Sequence, residues 1–126
     1  MNVANLSIIL PYAGALILFQ LVLSIRVTAE RSRTGIRFGW GDNPALARIV
    51  RAHGNFAEYV PLTLLGLALA ALIGRDPSQL HGACGLLVFG RIAHALGIYR
   101  EFSVARLVGQ IATWVAMLTT AALVLL

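Results

Sequence analysis

Residues 48–62 read RIVRAHGNFAEYVPL, and the rest of the chain is organised around this stretch. Its polar residues recur at spacings of three, four and three: Arg48, Arg51, Asn55 and Glu58. On an α-helix such spacings place the side chains along one stripe. The sequence that follows, residues 62–73, is almost entirely apolar. Because polar residues within a membrane span are costly unless they face the interior of a bundle, and usually have a function, we predict that this stripe is the functional site.

The composition is that of an integral membrane protein. Of the 126 residues, 59% are hydrophobic and 12% are charged, and the mean hydropathy is +0.82. Soluble domains carry about 25% charged residues. Because a helix needs about 20 apolar residues to cross the hydrocarbon core, four spans and short connections use the whole length. We predict an all-α, membrane-embedded four-helix bundle that forms a single domain over residues 1–126.

The charge pattern predicts the topology. All ten basic residues are arginines, against five acidic residues, which gives a formal net charge of +5. Four of the arginines fall in the first connection: Arg26, Arg31, Arg33 and Arg37. Because the arginines cluster at the ends of apolar segments, the positive-inside rule explains them better than nucleic-acid binding, and we expect no nucleic-acid partner. Both termini should then lie on the periplasmic side of a bacterial inner membrane.

The apolar segments give the order of the helices. We predict four spans, at residues 6–25, 44–73, 80–99 and 107–126. No basic n-region or cleavage site marks the first as a removable signal peptide. Asp42 or Asn43 should cap the second helix, and Pro61 should disturb its hydrogen-bond ladder. Close helix packing is expected at three glycines of the third helix: Gly82, Gly85 and Gly90.

The predicted topology brings the third helix to the depth of the polar stripe. Arg91 and His94 are neighbours on one face of that helix and join the stripe in one layer. Arginine forks match carboxylates, a glutamate receives an ammonium group, and an asparagine both donates and accepts hydrogen bonds. The layer therefore suits a small zwitterionic ligand with several carboxylates. No residues with the spacing of metal ligands surround the single Cys84, which we interpret as a packing residue.

Structural interpretations of the same residues stay open. Glu58 would have no role beyond an ion pair if it only bonded Arg51 or Arg91 between helices. Arg48 would be an anchor whose charged head reaches the interface. His53 points away from the stripe and is interpreted as a packing or interfacial residue, and His94 is equally compatible with a structural role. The remaining aromatic candidates, Tyr59 and Tyr99, have the default interpretation of interfacial tyrosines.

At these residues the sequence resembles the MAPEG family, the membrane-associated proteins of eicosanoid and glutathione metabolism. The segment RAHGNFAEYVPL at residues 51–62 is similar to the pattern of leukotriene-C synthases and microsomal glutathione transferases. The segment GRIAH at residues 90–94 is similar to that of prostaglandin E synthases. The resemblance covers nearly the whole chain. It implies a homotrimer of four-helix subunits that binds glutathione between subunits, near the cytoplasmic side.

The resemblance also implies roles for individual residues. The implied glutathione contacts are Arg48, Arg51, Asn55, Glu58 and Tyr59 in the second helix and Arg91, His94 and Tyr99 in the third. The resemblance implies that an arginine near the start of the fourth helix stabilises the glutathione thiolate. Here Phe102 stands at that position, so Arg106 becomes the preferred catalytic candidate, and Arg100 the second. The tyrosine expected in the third helix is also displaced, because Ile98 occupies its position and Tyr99 follows.

The leading hypothesis is a membrane glutathione transferase or glutathione-dependent peroxidase that serves detoxification. Glutathione would be the cosubstrate, and a lipophilic electrophile would enter from the membrane lipids. Because the protein supplies orientation and electrostatic activation, no protein nucleophile and no metal is required. One alternative is a non-enzymatic MAPEG-like scaffold that binds a lipophilic ligand. A small exporter of cationic drugs is less favoured, because residues 6–25 contain no acidic residue.

Overall fold

The structure, a computed structural model, describes residues 3–126. Within this range it contains a short 3-10 helix, Val3–Asn5, and four α-helices with no strand. The α-helices are α1 (Leu6–Thr34), α2 (Pro44–Leu72), α3 (Pro77–Tyr99) and α4 (Ser103–Leu125). Each is long and apolar enough to cross a membrane. The predicted all-α bundle of four membrane-spanning helices is therefore confirmed.

The first helix is longer than its apolar segment predicts. It continues past Ile25 to Thr34, so three of the four arginines that we assigned to the connection lie on the helix. A pair one turn apart, Glu30 and Arg33, supports this extension with an ion pair. Gly35 then ends the helix in the left-handed conformation, with φ of 72°, and donates its N–H to the Arg31 carbonyl. Hydropathy marks the span, whereas the cap marks the end of the helix.

Helix α2 begins at Pro44 as predicted, whereas α3 and α4 begin earlier than predicted. Asn43 caps α2 as predicted, because its side chain accepts a 3.0 Å bond from the Leu46 N–H. Asp76 caps α3, with Pro77 in the first turn, so α3 begins three residues before the predicted start. The fourth helix also begins earlier, at Ser103 instead of residue 107. A tight connection between α3 and α4 permits this early start, and within it Glu101 adopts a positive φ of 56°.

The helices α3 and α4 form the most extensively packed pair in the bundle. A Cβ atom on Gly109 would lie 2.3 Å from the His94 backbone nitrogen, and one on Gly97 would lie 2.3 Å from the Arg106 nitrogen. Gly90 also meets α4 closely, as predicted. At Gly82 and Gly85 a Cβ would find no neighbouring atom of residues 3–126 within 4 Å, so the close contacts that we predicted there do not form among these residues. Backbone contact is therefore concentrated in the half of the pair that carries Arg91 and His94.

The interior of the bundle is apolar, and so is much of its surface. Buried residues of all four helices form one core, which includes Leu16, Phe56, Leu87 and Ala116. Cys84 is free and fully buried in this core, which confirms its interpretation as a packing residue. Large apolar side chains such as Leu18, Leu65, Trp114 and Leu118 are exposed. A surface of this kind suits lipid, not water.

The two ends of the bundle differ in character. The α1–α2 and α3–α4 connections lie at one end, which we call the arginine-rich end. The other end, called the opposite end, carries the α2–α3 connection and the terminal segments, and is closed by hydrogen bonds. Asn5 donates through Nδ2 to the Arg75 carbonyl at 2.8 Å, and Arg75 donates through Nε to the Leu123 carbonyl at 2.5 Å. Polar side chains toward the arginine-rich end form the candidate site.

Candidate functional site

Arg91 lies at the centre of a buried polar layer. Its side chain is only 1% exposed. Nε donates to Thr113 Oγ1 at 2.9 Å, and Nη1 donates to Asn55 Oδ1 at 2.6 Å. The guanidinium carbon lies 5.5 Å from the ring centroid of Tyr59. Because Asn55 and Tyr59 belong to α2 and Thr113 to α4, Arg91 joins three helices. With the adjacent His94, we call these residues the buried layer.

The charge of Arg91 is not neutralised within the subunit. It forms no salt bridge with any described residue. Its Nη2 is buried and has no hydrogen-bond partner among residues 3–126. The Asn55 carbonyl dipole and the face of the Tyr59 ring offset part of the cost of burying this cation. The buried layer thus retains both positive potential and an unused donor.

His94 is also buried, one turn beyond Arg91 on α3. The Arg106 backbone, in the first turn of α4, packs against Gly97, one turn beyond His94 on α3. Arg91 and the contact with Arg106 therefore lie one turn to either side of His94 along α3. This arrangement favours an anion, and sequence spacing alone could not show the contact with Arg106.

Arg51 and Glu58 lie outside the buried layer, although sequence spacing put them on one stripe with Asn55. Arg51 Nη1 lies 3.2 Å from Glu58 Oε1, and the two side chains are 62% and 53% exposed. Asn55, in contrast, is 4% exposed. The predicted stripe is therefore divided: Asn55 faces into the subunit, and the pair faces outward. Glu58 bonds Arg51, not Arg91, so one of the two ion pairs that we left open is present.

Arg48 pairs with an acid that the sequence analysis did not select. Its Nη1 lies 2.6 Å from Glu101 Oε1, in the α3–α4 connection. This contact links the second turn of α2 to the α3–α4 connection. The signal that could have found it is the acid itself, since Glu101 is the only acidic residue between α3 and α4. Thr113 was also missed, because a threonine in an apolar span has no distinctive pattern.

The other predicted residues lie around this centre. Tyr99 is half-buried, its hydroxyl has no partner among residues 3–126, and the Arg26 guanidinium carbon lies 5.3 Å from its ring centroid. Arg100 and Arg106 are exposed, at the end of α3 and in the first turn of α4. Phe102 occupies the N-cap position of α4 and is 57% exposed. Outside the layer, His53 Nε2 lies 3.0 Å from Gln20 Nε2, in agreement with its interpretation as a packing residue.

Comparison with known proteins identifies the relatives of this chain. Residues 9–126 match the model of the MAPEG family. The chain is similar to a protein named Inner membrane protein YecN from Escherichia coli strain K12, with 30% identity over 108 residues that cover 85% of this chain and 82% of the relative. The protein of that name from Escherichia coli O6:H1, strain CFT073, is similar to the same extent. The matched region contains the buried layer and most of each of the four helices, and the chain belongs to the MAPEG family.

Proposed function

We propose that this protein is a membrane glutathione transferase or glutathione-dependent peroxidase whose site is completed by a neighbouring copy in a homotrimer. The observation that carries the proposal is the exposure of the Arg51–Glu58 pair on a membrane-spanning helix. Charged side chains that face lipid are costly. A neighbouring subunit and a polar ligand would remove both groups from lipid.

The available groups complement the charges of glutathione, which has one ammonium group and two carboxylates. Glu58 would receive the ammonium group, and Arg51 would bind a carboxylate through its fork. Arg91 would act mainly by holding Asn55, with which it forms a 2.6 Å hydrogen bond. Tyr59 and Tyr99 would line the same site, and the electrostatic field of the arginines would favour the anionic ligand. Family membership supports this choice of ligand.

The chemical step requires a thiolate near a fixed cation. Arg106 is our candidate for stabilising it, because Arg106 is in the first turn of α4 and its backbone packs against Gly97, one turn beyond His94 on α3. The thiolate sulfur would attack an electrophilic carbon, form a thioether bond and displace a leaving group as an anion. In the peroxidase variant, two glutathione molecules would reduce a hydroperoxide to an alcohol and water and become the disulfide. In both variants the lipophilic cosubstrate would enter from the bilayer.

Calorimetry of glutathione binding to the detergent-purified protein tests this proposal. We expect Glu58→Gln to weaken binding at least about tenfold, because a hydrogen bond to a charged group is lost. Glu30→Gln is the matched control, since it removes a carboxylate that pairs with Arg33 on α1. We expect Arg106→Ala to keep glutathione bound but to reduce the ultraviolet absorbance of the thiolate, and Arg100→Ala to leave that absorbance intact.

Each result has a distinct meaning. No binding by the wild-type protein would remove glutathione from the proposal. Binding with no thiolate in the wild type would support the second candidate, a non-enzymatic scaffold for a lipophilic ligand. The position of Phe102 favours that candidate, because an apolar residue caps α4 where the enzymes of the family are expected to carry arginine.

Assembly and orientation are tested separately. Light scattering in detergent should give three times the 13.5 kDa mass of one chain. For location we propose the bacterial inner membrane, with the arginine-rich end in the cytoplasm and both termini in the periplasm. A Cys84→Ser protein that carries Arg33→Cys should resist an impermeant thiol reagent added to intact cells. Labelling of that cysteine from outside would show that the arginine-rich end faces the periplasm.

A further inference from the structure

We infer that a basic cleft at the end of α1 binds the phosphate headgroup of an anionic phospholipid. The cleft has a volume of about 390 Å³ and is lined by Thr28, Arg31, Ser32, Gly35 and Arg37. None of these residues belongs to the buried layer or to the Arg51–Glu58 pair. The inference is therefore independent of the proposed function.

Arg31 gives the cleft a fixed shape. Its Nη1 donates to the Ile36 carbonyl at 3.1 Å and to the Gly39 carbonyl at 2.9 Å. These bonds hold the loop after α1 against the end of the helix. The left-handed Gly35 turns the chain at this point. Nε and Nη2 of Arg31 make no hydrogen bond to other residues of the described range, so they remain available as donors in a guanidinium that is already oriented.

The neighbouring arginines have other partners, and this leaves two cations for the cleft. Arg33 pairs with Glu30, and Arg26 lies over the ring of Tyr99. Arg37 forms no salt bridge within residues 3–126 and lines the cleft together with Arg31. Two guanidinium groups beside the hydroxyls of Thr28 and Ser32 match the oxygens of a phosphate monoanion or diester.

The surroundings favour a lipid over a soluble phosphate. The cleft stands at the end of a membrane-spanning helix, which is the depth of lipid headgroups. Directly after Arg37, the side chains of Phe38 and Trp40 are 89% and 52% exposed. Aromatic side chains in this position anchor a loop in the interfacial region. Basic pockets at the ends of spans take anionic headgroups, whose acyl chains would lie along the apolar outer face of α1.

Native mass spectrometry of the full-length protein can test the inference. The protein would be released from detergent in the presence of equal amounts of phosphatidylglycerol and phosphatidylcholine. We expect phosphatidylglycerol to be retained preferentially, and Arg37→Gln to reduce that preference at least about fivefold, because a charge-assisted hydrogen bond to the phosphate is lost. Arg33→Gln is the matched control, because it removes one charge from the same segment outside the cleft. We expect it to keep the wild-type preference.

Three outcomes would overturn the inference. The first is equal retention of the two lipids by the wild type. The second is an equal loss in Arg33→Gln and Arg37→Gln, which would mean that diffuse charge, and not the cleft, attracts the lipid. The third is displacement of phosphatidylglycerol by millimolar inorganic phosphate, which would assign the cleft to a soluble anion. Equal helical content by circular dichroism in all three proteins would show that the variants are folded.

Discussion

Helix α2 carries two sets of polar residues that are close in sequence but differ in exposure and in hydrogen-bond partners: Asn55, and the Arg51–Glu58 pair. Asn55 is 4% exposed and is fixed by Arg91, whereas Arg51 and Glu58 are 62% and 53% exposed and, among residues 3–126, bond only each other. The first group connects three helices, and so it defines their relative positions. The second leaves most of its hydrogen-bonding capacity unused. The difference separates the residues that build the site from those that are free to bind a ligand.

The largest effect on stability should come from Arg91→Ala. The substitution leaves a cavity and removes the donor to Asn55 and Thr113, although the Thr113 hydroxyl keeps its bond to the Gly109 carbonyl. We therefore expect a loss of about 3 kcal/mol in the free energy of unfolding. The matched substitution Arg51→Ala breaks an exposed ion pair and should cost less than about 1 kcal/mol. Thermal and denaturant unfolding in detergent would measure both. Equal losses of unfolding free energy in the two variants would show that Arg51 is as important for stability as Arg91, and that the two residues do not have separate roles.

The substitution Gly109→Ala should disturb the buried layer without removing any polar atom. A methyl group on Gly109 would lie 2.3 Å from the His94 nitrogen and 2.6 Å from the Gly90 carbonyl oxygen. Because both are backbone atoms, α3 and α4 must separate, and we expect Gly109→Ala to cost about 1–3 kcal/mol. Gly82→Ala, on the same pair of helices, meets no atom within 4 Å and should be neutral or slightly stabilising. A neutral Gly109→Ala would show that the close approach is not required.

The existence of the four spans could be predicted from the sequence, and their limits could not. Crossing a membrane requires length and apolar composition, and both can be read locally. The helix ends depend instead on caps such as Asp76 and on the left-handed Gly35, and they extend beyond the apolar segments. The extension of α1 by nine residues moved Arg26, Arg31 and Arg33 from a loop onto a helix, and it created the wall of the basic cleft.

The candidate site was predicted in composition but not in arrangement. Asn55 and Glu58 are separated by about 60° around a helix, so spacing placed them on one stripe. Which of them faces the interior depends on where α3 and α4 lie. Arg91 on α3 bonds Asn55 and also Thr113 on α4, and these bonds turn Asn55 toward the interior. In the sequence, Arg91 and Thr113 are 36 and 58 residues from Asn55. A periodic pattern has no information on such distant partners, and the Arg48–Glu101 contact was missed for the same reason.

The smallest effect is expected at the opposite end, where Asp76 is exposed like the Arg51–Glu58 pair but bonds only to its own helix. The Ser78 hydroxyl first, and then the Ser78 and Gln79 backbone N–H groups, hold the pKa of this carboxyl below its ordinary value. A depressed folded-state pKa contributes stability that is present above the unfolded value of about 3.9 and is lost as pH falls through the folded value. The midpoint of thermal unfolding should therefore fall slightly more below about pH 4 in the wild type than in Asp76→Asn, which keeps a neutral cap.

Asp42→Asn is the control, because Asn43 already caps α2. If Asp76→Asn lost stability as steeply as the wild type over this range, the charge of this cap would contribute nothing to stability, and its hydrogen bonds alone would account for the start of α3.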